Sequence, residues 1–174
     1  MAAIVVVAPM VVTAQVTLSK QNPPLVVTTP NPTSQERIAS EELVGHLSQI
    51  LGVPCQVDST QTPKRGAIVV GLASKWMPQA NLGQEDILLK TEGGRLYVLG
   101  GGPRGVVYAV NRLLHLQGVR WWAPWATEVP KKSRVEFKNL DVIESPKFES
   151  RDPFWFHAFD REWARRNGSN SMHS

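Results

Sequence analysis

The chain has 174 residues, of which 42% are hydrophobic, and its 19 basic and 15 acidic residues leave a formal net charge of +4. This length is enough for one domain and the start of a second, and the apolar content supports a packed core. The charges are scattered without a basic arm, which excludes a nucleic-acid-binding protein, and the one cysteine, Cys55, excludes an intrachain disulfide and a cysteine-based zinc site.

The N-terminal residues 1–14 form an apolar stretch of the length of a signal peptide. Val12 and Ala14 suit cleavage before Gln15, although only the α-amino group supplies positive charge ahead of the apolar run. A buried N-terminal strand over residues 4–7 is the alternative, and the stretch is too short to anchor the chain in a bilayer. We therefore expect removal of residues 1–14, a secreted or periplasmic protein, and no membrane association after cleavage.

In chain order, the pattern predicts a strand over 24–29, a helix over 34–51, strands over 55–59 and 67–73, a loop over 74–84, a β-hairpin over 85–101, a helix over 105–117, and strands with extended connections over 119–155. Thr33 or Ser34 caps the first helix and Gly52 ends it. Gly93-Gly94 between two β-rich runs indicates the hairpin turn. This order predicts an α+β fold, a two-layer α/β sandwich with a mixed β-sheet and two main helices on one face.

The run Gly100-Gly101-Gly102-Pro103-Arg104-Gly105 between the hairpin and the second helix has the spacing of a dinucleotide-binding turn. Its preceding strand closes a hairpin, however, and the next strand ends without an acidic residue, whereas a Rossmann unit needs a parallel strand and that acid. Pro103 also removes one amide that would bind phosphate. We therefore interpret the glycines as a tight reversal that uses positive φ angles, and Pro103 as a first-turn helix residue.

The glycine run and the helix that follows it resemble the N-terminal domain that precedes the catalytic barrel of bacterial alpha-glucuronidase-like glycoside hydrolases, which is related to the N-terminal domain of beta-hexosaminidases. Residues 39–54 and 66–71 match the helix and strand that come earlier in that domain, so the resemblance covers about residues 22–170. The shared pattern is carried by Gly102, Arg104, Gly105, Tyr108, Ala109, Leu113, Leu114, Gly118, Val119, Arg120, Pro124 and Pro130.

The resemblance implies a domain of residues 15–145, followed over 146–174 by a linker and the start of a truncated (β/α)8 barrel. In that family the catalytic carboxylates belong to the barrel, which needs about 250 residues. We therefore expect a non-catalytic accessory domain, a fragment inactive alone, that supports a barrel acting on polysaccharide-derived sugars. Substrate and stereochemistry are left open. Pro146, Phe148 and Arg151 fit a segment that supplies a sugar-binding arginine in the hexosaminidase-like relatives, and a salt bridge from Arg151 to Asp152 or Glu149 is the alternative.

The chain contains six tryptophans, and all but Trp76 fall into two groups. One group is Trp121, Trp122 and Trp125, and the other comprises Trp155 and Trp163 with Phe154, Phe156 and Phe159. Because aromatic faces stack on sugar rings, the first group predicts a second function, a free-standing carbohydrate-binding module with Trp125 as a substrate contact. The alternative is that these rings pack the domain against its barrel.

His157, Asp160 and Glu162, with His173 further along, are the candidate metal ligands. Their spacings place them on no common face of a helix or strand, whereas a metal needs three or four convergent ligands. We therefore expect no metal and no cofactor. No catalytic residue is assigned, because the chain has no G-x-S-x-G motif and no carboxylate pair that the pattern distinguishes.

Overall fold

A computed structural model of the chain describes residues 15–170. The predicted leader, residues 1–14, and His173 lie outside the described residues. The strands are β1 Gln15–Ser19, β2 Leu25–Thr28, β3 Gln56–Ser59, β4 Ile68–Leu72, β5 Ile87–Glu92, β6 Arg95–Gly100, β7 Arg120–Ala123, β8 Ala126–Glu128, β9 Arg134–Lys138 and β10 Asp141–Glu144. The α-helices are α1 Ser34–Leu51, α2 Ala73–Trp76, α3 Pro103–Leu116 and α4 Arg161–Arg166, and 3-10 turns cover Pro78–Ala80 and Phe156–Phe159.

Six strands form one mixed sheet in the order β10-β5-β6-β4-β2-β3. The central strand β4 runs parallel to both β2 and β6, while β5 and β6 form an antiparallel hairpin and β10 pairs antiparallel with β5. Strands β1 and β9 form one two-stranded sheet, and β7 and β8 form another. The mixed sheet and the antiparallel hairpin before the glycine run are therefore as predicted.

Helices α1 and α3 lie side by side on one face of the sheet and share its main core. The two helices bury Leu43, Leu47 and Leu113 completely, since apolar side chains recur at helical spacing along both. The opposite face is covered more thinly by α2 and the turn after it, where Met77 packs with Leu99. The predicted α+β sandwich with two main helices on one face is confirmed.

The ends of α1 follow from its sequence. The side chain of Thr33 accepts from the Glu36 amide at 3.2 Å, and Glu36 accepts in return from the Thr33 amide at 2.7 Å, which is a capping box. Gly52 ends the helix at a φ of 66°, in the left-handed region that glycine tolerates. Gly93 and Gly94, with φ values of 56° and 74°, likewise form the tight turn of the predicted hairpin.

Two expectations are wrong. Residues 74–84 are not all loop, because α2 begins at Ala73 directly after β4 and a 3-10 turn follows it. The glycine run also reverses the chain without any positive φ angle. The described glycines that do have a positive φ lie outside this run. Its glycines are required by close packing instead. A methyl group on Gly101 would overlap the carbonyl oxygen of Gly83, and one on Gly105 would lie 2.8 Å from the carbonyl oxygen of Asp86.

We expect Gly101→Ala to destabilise the protein by about 1–3 kcal/mol or more, because the added methyl group forces the backbone of residues 83–86 away from α3. The matched control is Gly45→Ala, an exposed position in α1 with no atom within 4 Å of the added carbon. There we expect a gain of about 0.5–1 kcal/mol from helix propensity. Urea unfolding measures both, and equal effects of the two changes would contradict the packing role.

Glu36 is a fully buried carboxylate that joins three elements. Besides the cap, Oε1 accepts from the Leu72 amide at 3.2 Å and Oε2 pairs with Lys75 Nζ at 3.2 Å. Burial alone would raise the pKa of Glu36, but the hydrogen bonds from Thr33, Leu72 and Lys75 outweigh it and lower this pKa below its usual value. The carboxylate therefore stabilises the fold above its unfolded pKa, and that stability is lost as the pH falls through the lower folded pKa.

We expect Glu36→Gln to lower the free energy of unfolding at pH 7 by about 1–3 kcal/mol, because the glutamine amide group turns a donor toward a backbone N–H. The loss of stability as the pH falls through the acid range below the ordinary pKa of a glutamate should become shallower in this variant. Glu41→Gln, at an exposed position of the same helix, is the control and should keep the wild-type pH dependence. Denaturant titrations across that pH range would refute the assignment if both variants behaved alike.

Candidate functional site

Arg151 lies in an irregular segment that folds back over α3. We call residues 145–170 the C-terminal strap; they contain a 3-10 turn and α4 and no strand. The guanidinium donates from Nε to the Gly168 carbonyl at 2.9 Å, from Nη1 to the Phe148 carbonyl at 2.8 Å and from Nη2 to Glu85 Oε2 at 2.7 Å. The carboxylate that pairs with Arg151 is thus Glu85, rather than Asp152 or Glu149. The assignment of residues 146–174 to a barrel and of Arg151 to a sugar contact stays a prediction.

One face of α3 holds the strap through its backbone carbonyls. Arg104 donates to the Asn170 carbonyl at 3.4 Å, the Tyr108 hydroxyl to the Ser169 carbonyl at 2.9 Å and Asn111 Nδ2 to the Arg165 carbonyl at 3.1 Å. These three donors lie at i, i+4 and i+7, which places them on one side of the helix. Burial, and then the nearby Glu85 carboxylate, raise the pKa of Tyr108, so its hydroxyl remains a neutral donor.

A second set of contacts attaches the strap to the rest of the sandwich. Arg166 makes a bidentate pair with Glu42 of α1, at 2.6 Å from Nε and 3.1 Å from Nη2, and its guanidinium lies 5.9 Å from the Trp121 ring centre. The Trp163 indole N–H donates to the Trp121 carbonyl at 2.9 Å. Because these contacts join residues far apart in the chain, sequence spacing alone did not indicate them.

A groove of about 320 Å³ lies between the strap, α3 and the edge of the sheet. Arg112 and Glu144 form a bidentate ion pair beside it, at 2.9 Å from Nε and 2.7 Å from Nη2, and both side chains are about 41% exposed. The other lining carboxylate, Glu85, is paired with Arg151. Burial, and then the charges of Arg120 and Arg112, lower the pKa of His115, which lines the groove as a neutral imidazole. Both lining carboxylates are therefore already engaged by arginines.

The first tryptophan group is divided between the core and the surface. Trp121 is buried, between His46 and His115, whose ring centres lie 5.4 Å and 5.1 Å away. Trp122 is 65% exposed and Trp125 is 72% exposed. The predicted surface of three adjacent tryptophans is therefore reduced to two, and the role of Trp125 as a sugar contact stays a prediction.

The second aromatic group is brought together around His157. The His157 ring lies 4.9 Å from Trp125, 5.8 Å from both Trp155 and Phe156, and 6.1 Å from Trp163. We call the exposed aromatic side chains of this region the aromatic patch; its members are Trp125, Trp155 and Phe156, which lie beside His157, and Phe154 and Phe159, whose ring centres lie 5.8 Å apart. Their exposed fractions run from 54% for Phe159 to 96% for Phe154, so the patch presents five large apolar side chains to water.

Within residues 15–170, no group of three or more His, Cys, Asp or Glu side chains converges as a metal would require. No helix in this range is both long and apolar enough to span a bilayer. The approach to the glycine run is occupied by Gln84 and its neighbours, and the Gly101 amide donates to the Asp86 carbonyl at 3.0 Å. That loop is therefore engaged by the protein itself.

Residues 10–113, more than half of the chain, match the family described as glycosyl hydrolase family 67 N-terminus. The chain belongs to this family. The family 67 N-terminal match covers β1 to most of α3, which is most of the sandwich; β7 to β10 and the strap lie after it. A comparison with curated proteins gives no match.

Two solved structures are similar to this chain over small parts of their own length. A family GH115 4-O-methyl-alpha-glucuronidase with specificity for decorated arabinogalactans aligns with a TM-score of 0.63 and 21% identity, over 90% of this chain and 22% of that chain. A GH20 exo beta-N-acetylglucosaminidase from Vibrio harveyi aligns with a TM-score of 0.49 and 18% identity, over 79% and 18% respectively. The chain thus spans about a fifth of the length of these enzymes, and the first comparison shows a shared fold.

We expect Tyr108→Phe to lower the free energy of unfolding by about 0.5–1.5 kcal/mol, because the Ser169 carbonyl loses its hydroxyl donor while the ring remains. Hydrogen exchange of the amides in 165–170 should accelerate, because the strap opens locally. The control is Tyr97→Phe, since the Tyr97 hydroxyl makes no hydrogen bond to another described residue. Unchanged exchange in the strap of Tyr108→Phe would contradict the role of α3 in holding it.

Proposed function

We propose that this chain is the non-catalytic accessory domain of an exported glycoside hydrolase resembling alpha-glucuronidase. Its role is to support a (β/α)8 catalytic barrel that acts on polysaccharide-derived sugars. Membership of the family 67 N-terminal family and the fold shared with the GH115 enzyme support this proposal. The alignment covers only 22% of the GH115 enzyme, and the rest of that enzyme is long enough for a separate catalytic domain, which also supports the proposal.

The observation that carries the proposal is the aromatic patch. Exposed apolar surface is costly in water at about 25 cal/mol per Å², and exposed aromatic side chains that lie together are characteristic of interfaces between folded domains. The strap that bears most of the patch is fixed to α1 and α3 by ion pairs and hydrogen bonds. A surface held in this way is presented to a partner with little loss of conformational freedom on docking.

The ion pairs that line the groove favour a non-catalytic, supporting role for this domain. Glycoside hydrolysis requires two carboxyl groups, one of which donates a proton to the leaving oxygen. In this groove Glu85 and Glu144 each pair with arginine side chains, which hold both carboxylates in structural contacts. Residues 1–14 are a signal peptide that directs the protein to the periplasm or out of the cell, where polysaccharide-derived sugars are encountered.

We expect the isolated chain to show no hydrolysis of an alpha-glucuronide and to self-associate through the aromatic patch as its concentration rises. The double variant Phe154→Ser/Phe156→Ser should weaken this association at least about tenfold, because burying each phenylalanine contributes about 1.5–3 kcal/mol. The control is Phe148→Ser, at a phenylalanine that is 73% exposed and makes no ring contact with the patch among the described residues. Light scattering and sedimentation measure the association.

Turnover by the isolated chain would contradict the non-catalytic assignment. A stable monomer at high concentration would contradict the role of the patch as a docking surface. Equal effects of Phe148→Ser and the double variant would do the same, since association would then follow overall hydrophobicity rather than this surface.

A further inference from the structure

The two exposed tryptophans of the β7–β8 hairpin have different surroundings. Trp125 lies at the hairpin turn against His157, and its indole nitrogen makes no hydrogen bond to another described residue. The Trp122 indole N–H donates to Glu128 Oε2 at 3.0 Å across the hairpin. Only Trp122 of this pair therefore combines an open aromatic face with a neighbouring carboxylate.

A β-bulge directs Trp122 toward solvent. Strand β7 pairs Trp121 with Thr127 and Ala123 with Ala126, so Trp122 is an extra residue between these two pairs. Bulges bend a strand and re-aim a side chain. Trp121 consequently enters the core, while the next residue, Trp122, remains 65% exposed.

The hydrogen bond to Glu128 has two consequences for binding. It restricts the rotation of the indole ring, so less conformational entropy is lost when a ligand stacks on it. It also occupies only one carboxylate oxygen, because Glu128 Oε1 makes no hydrogen bond to another described residue. Trp122 and Glu128 thus offer an oriented apolar face beside an exposed hydrogen-bond acceptor.

We propose that Trp122 and Glu128 form a carbohydrate-binding site for a neutral pyranose unit of an oligosaccharide. The C–H face of a pyranose is apolar and stacks on the indole, while its equatorial hydroxyl groups project sideways and donate to Glu128 Oε1. An apolar protein surface would strip water from the Glu128 carboxylate without replacing its hydrogen bonds, which is costly. An anionic sugar would be repelled by the same carboxylate.

This site is independent of the barrel-supporting role, because Trp122 is not a member of the aromatic patch. The domain would then hold a segment of a polysaccharide by one surface and contact its catalytic partner by another. A site of one aromatic ring and one carboxylate is weak, and we expect a dissociation constant of about 1 mM for one chain end or internal unit.

The test titrates the 174-residue chain with cellohexaose and xylohexaose to about ten times the expected dissociation constant, while recording the indole N–H signals by NMR. We expect saturable shifts of the Trp122 signal with at least one of these neutral sugars, and binding at least three times weaker for hexagalacturonate, which is anionic. Trp122→Ala should weaken binding at least about tenfold, and Glu128→Gln about threefold, since the amide still accepts the indole N–H but loses the charge.

The comparison variant is Trp125→Ala, because the sequence pattern names Trp125, which is similarly exposed and three residues away, as the sugar contact. If Trp122 holds the sugar instead, Trp125→Ala should leave the dissociation constant within about twofold. Well-dispersed spectra of each variant establish that the fold is retained. The proposal is overturned by the lack of a saturable shift with both neutral sugars, by wild-type affinity in Trp122→Ala, or by an equal loss in Trp125→Ala. None of these outcomes bears on self-association through the patch.

Discussion

The close approach of two backbone segments positions everything else in this domain. The glycine run between β6 and α3 lies against residues 83–86 so tightly that a side chain at Gly101 would overlap a carbonyl oxygen. This contact brings the first turn of α3 down onto the end of the β5–β6 hairpin, where the Gly101 amide bonds to Asp86. The resulting angle of α3 places its apolar side on the sheet and its polar side outward, toward the strap.

The polar side of α3 then determines where the strap lies. Arg104, Tyr108 and Asn111 occupy successive turns on that side and all donate to carbonyl groups of residues 165–170. Glu85 follows directly on the Gly83–Gln84 segment that packs against the glycines, and it pairs with Arg151 of the strap. Displacement of α3 would therefore move both attachments of the strap and, with them, the aromatic patch.

Local features of the fold could be predicted from the sequence, and long-range ones could not. Thr33 with Glu36, Gly52 and the Gly93-Gly94 pair act within a few residues, so their patterns correctly indicated the ends of α1 and the hairpin turn. The glycine run was interpreted through φ angles, which are local, whereas its packing against residues 83–86 depends on tertiary structure. The partner of Arg151 was missed for the same reason, because Glu85 lies 66 residues earlier in the chain.

The separation of Trp121 from Trp122 is one feature of the candidate site that the sequence could have predicted. Adjacent residues of a strand point to opposite faces, so Trp121 and Trp122 could not have formed one flat surface. This alternation, together with the bulge at Trp122, explains why the hairpin both fills the core and presents a tryptophan to solvent. The family match over residues 10–113 covers most of the scaffold, without β9 and β10, whereas Trp122, Glu128 and the aromatic patch come from residues after it. Backbone packing restricts changes in the scaffold, but these exposed side chains can vary without disturbing it, which is why the proposed contacts to a partner and to a sugar are placed on the hairpin and the strap.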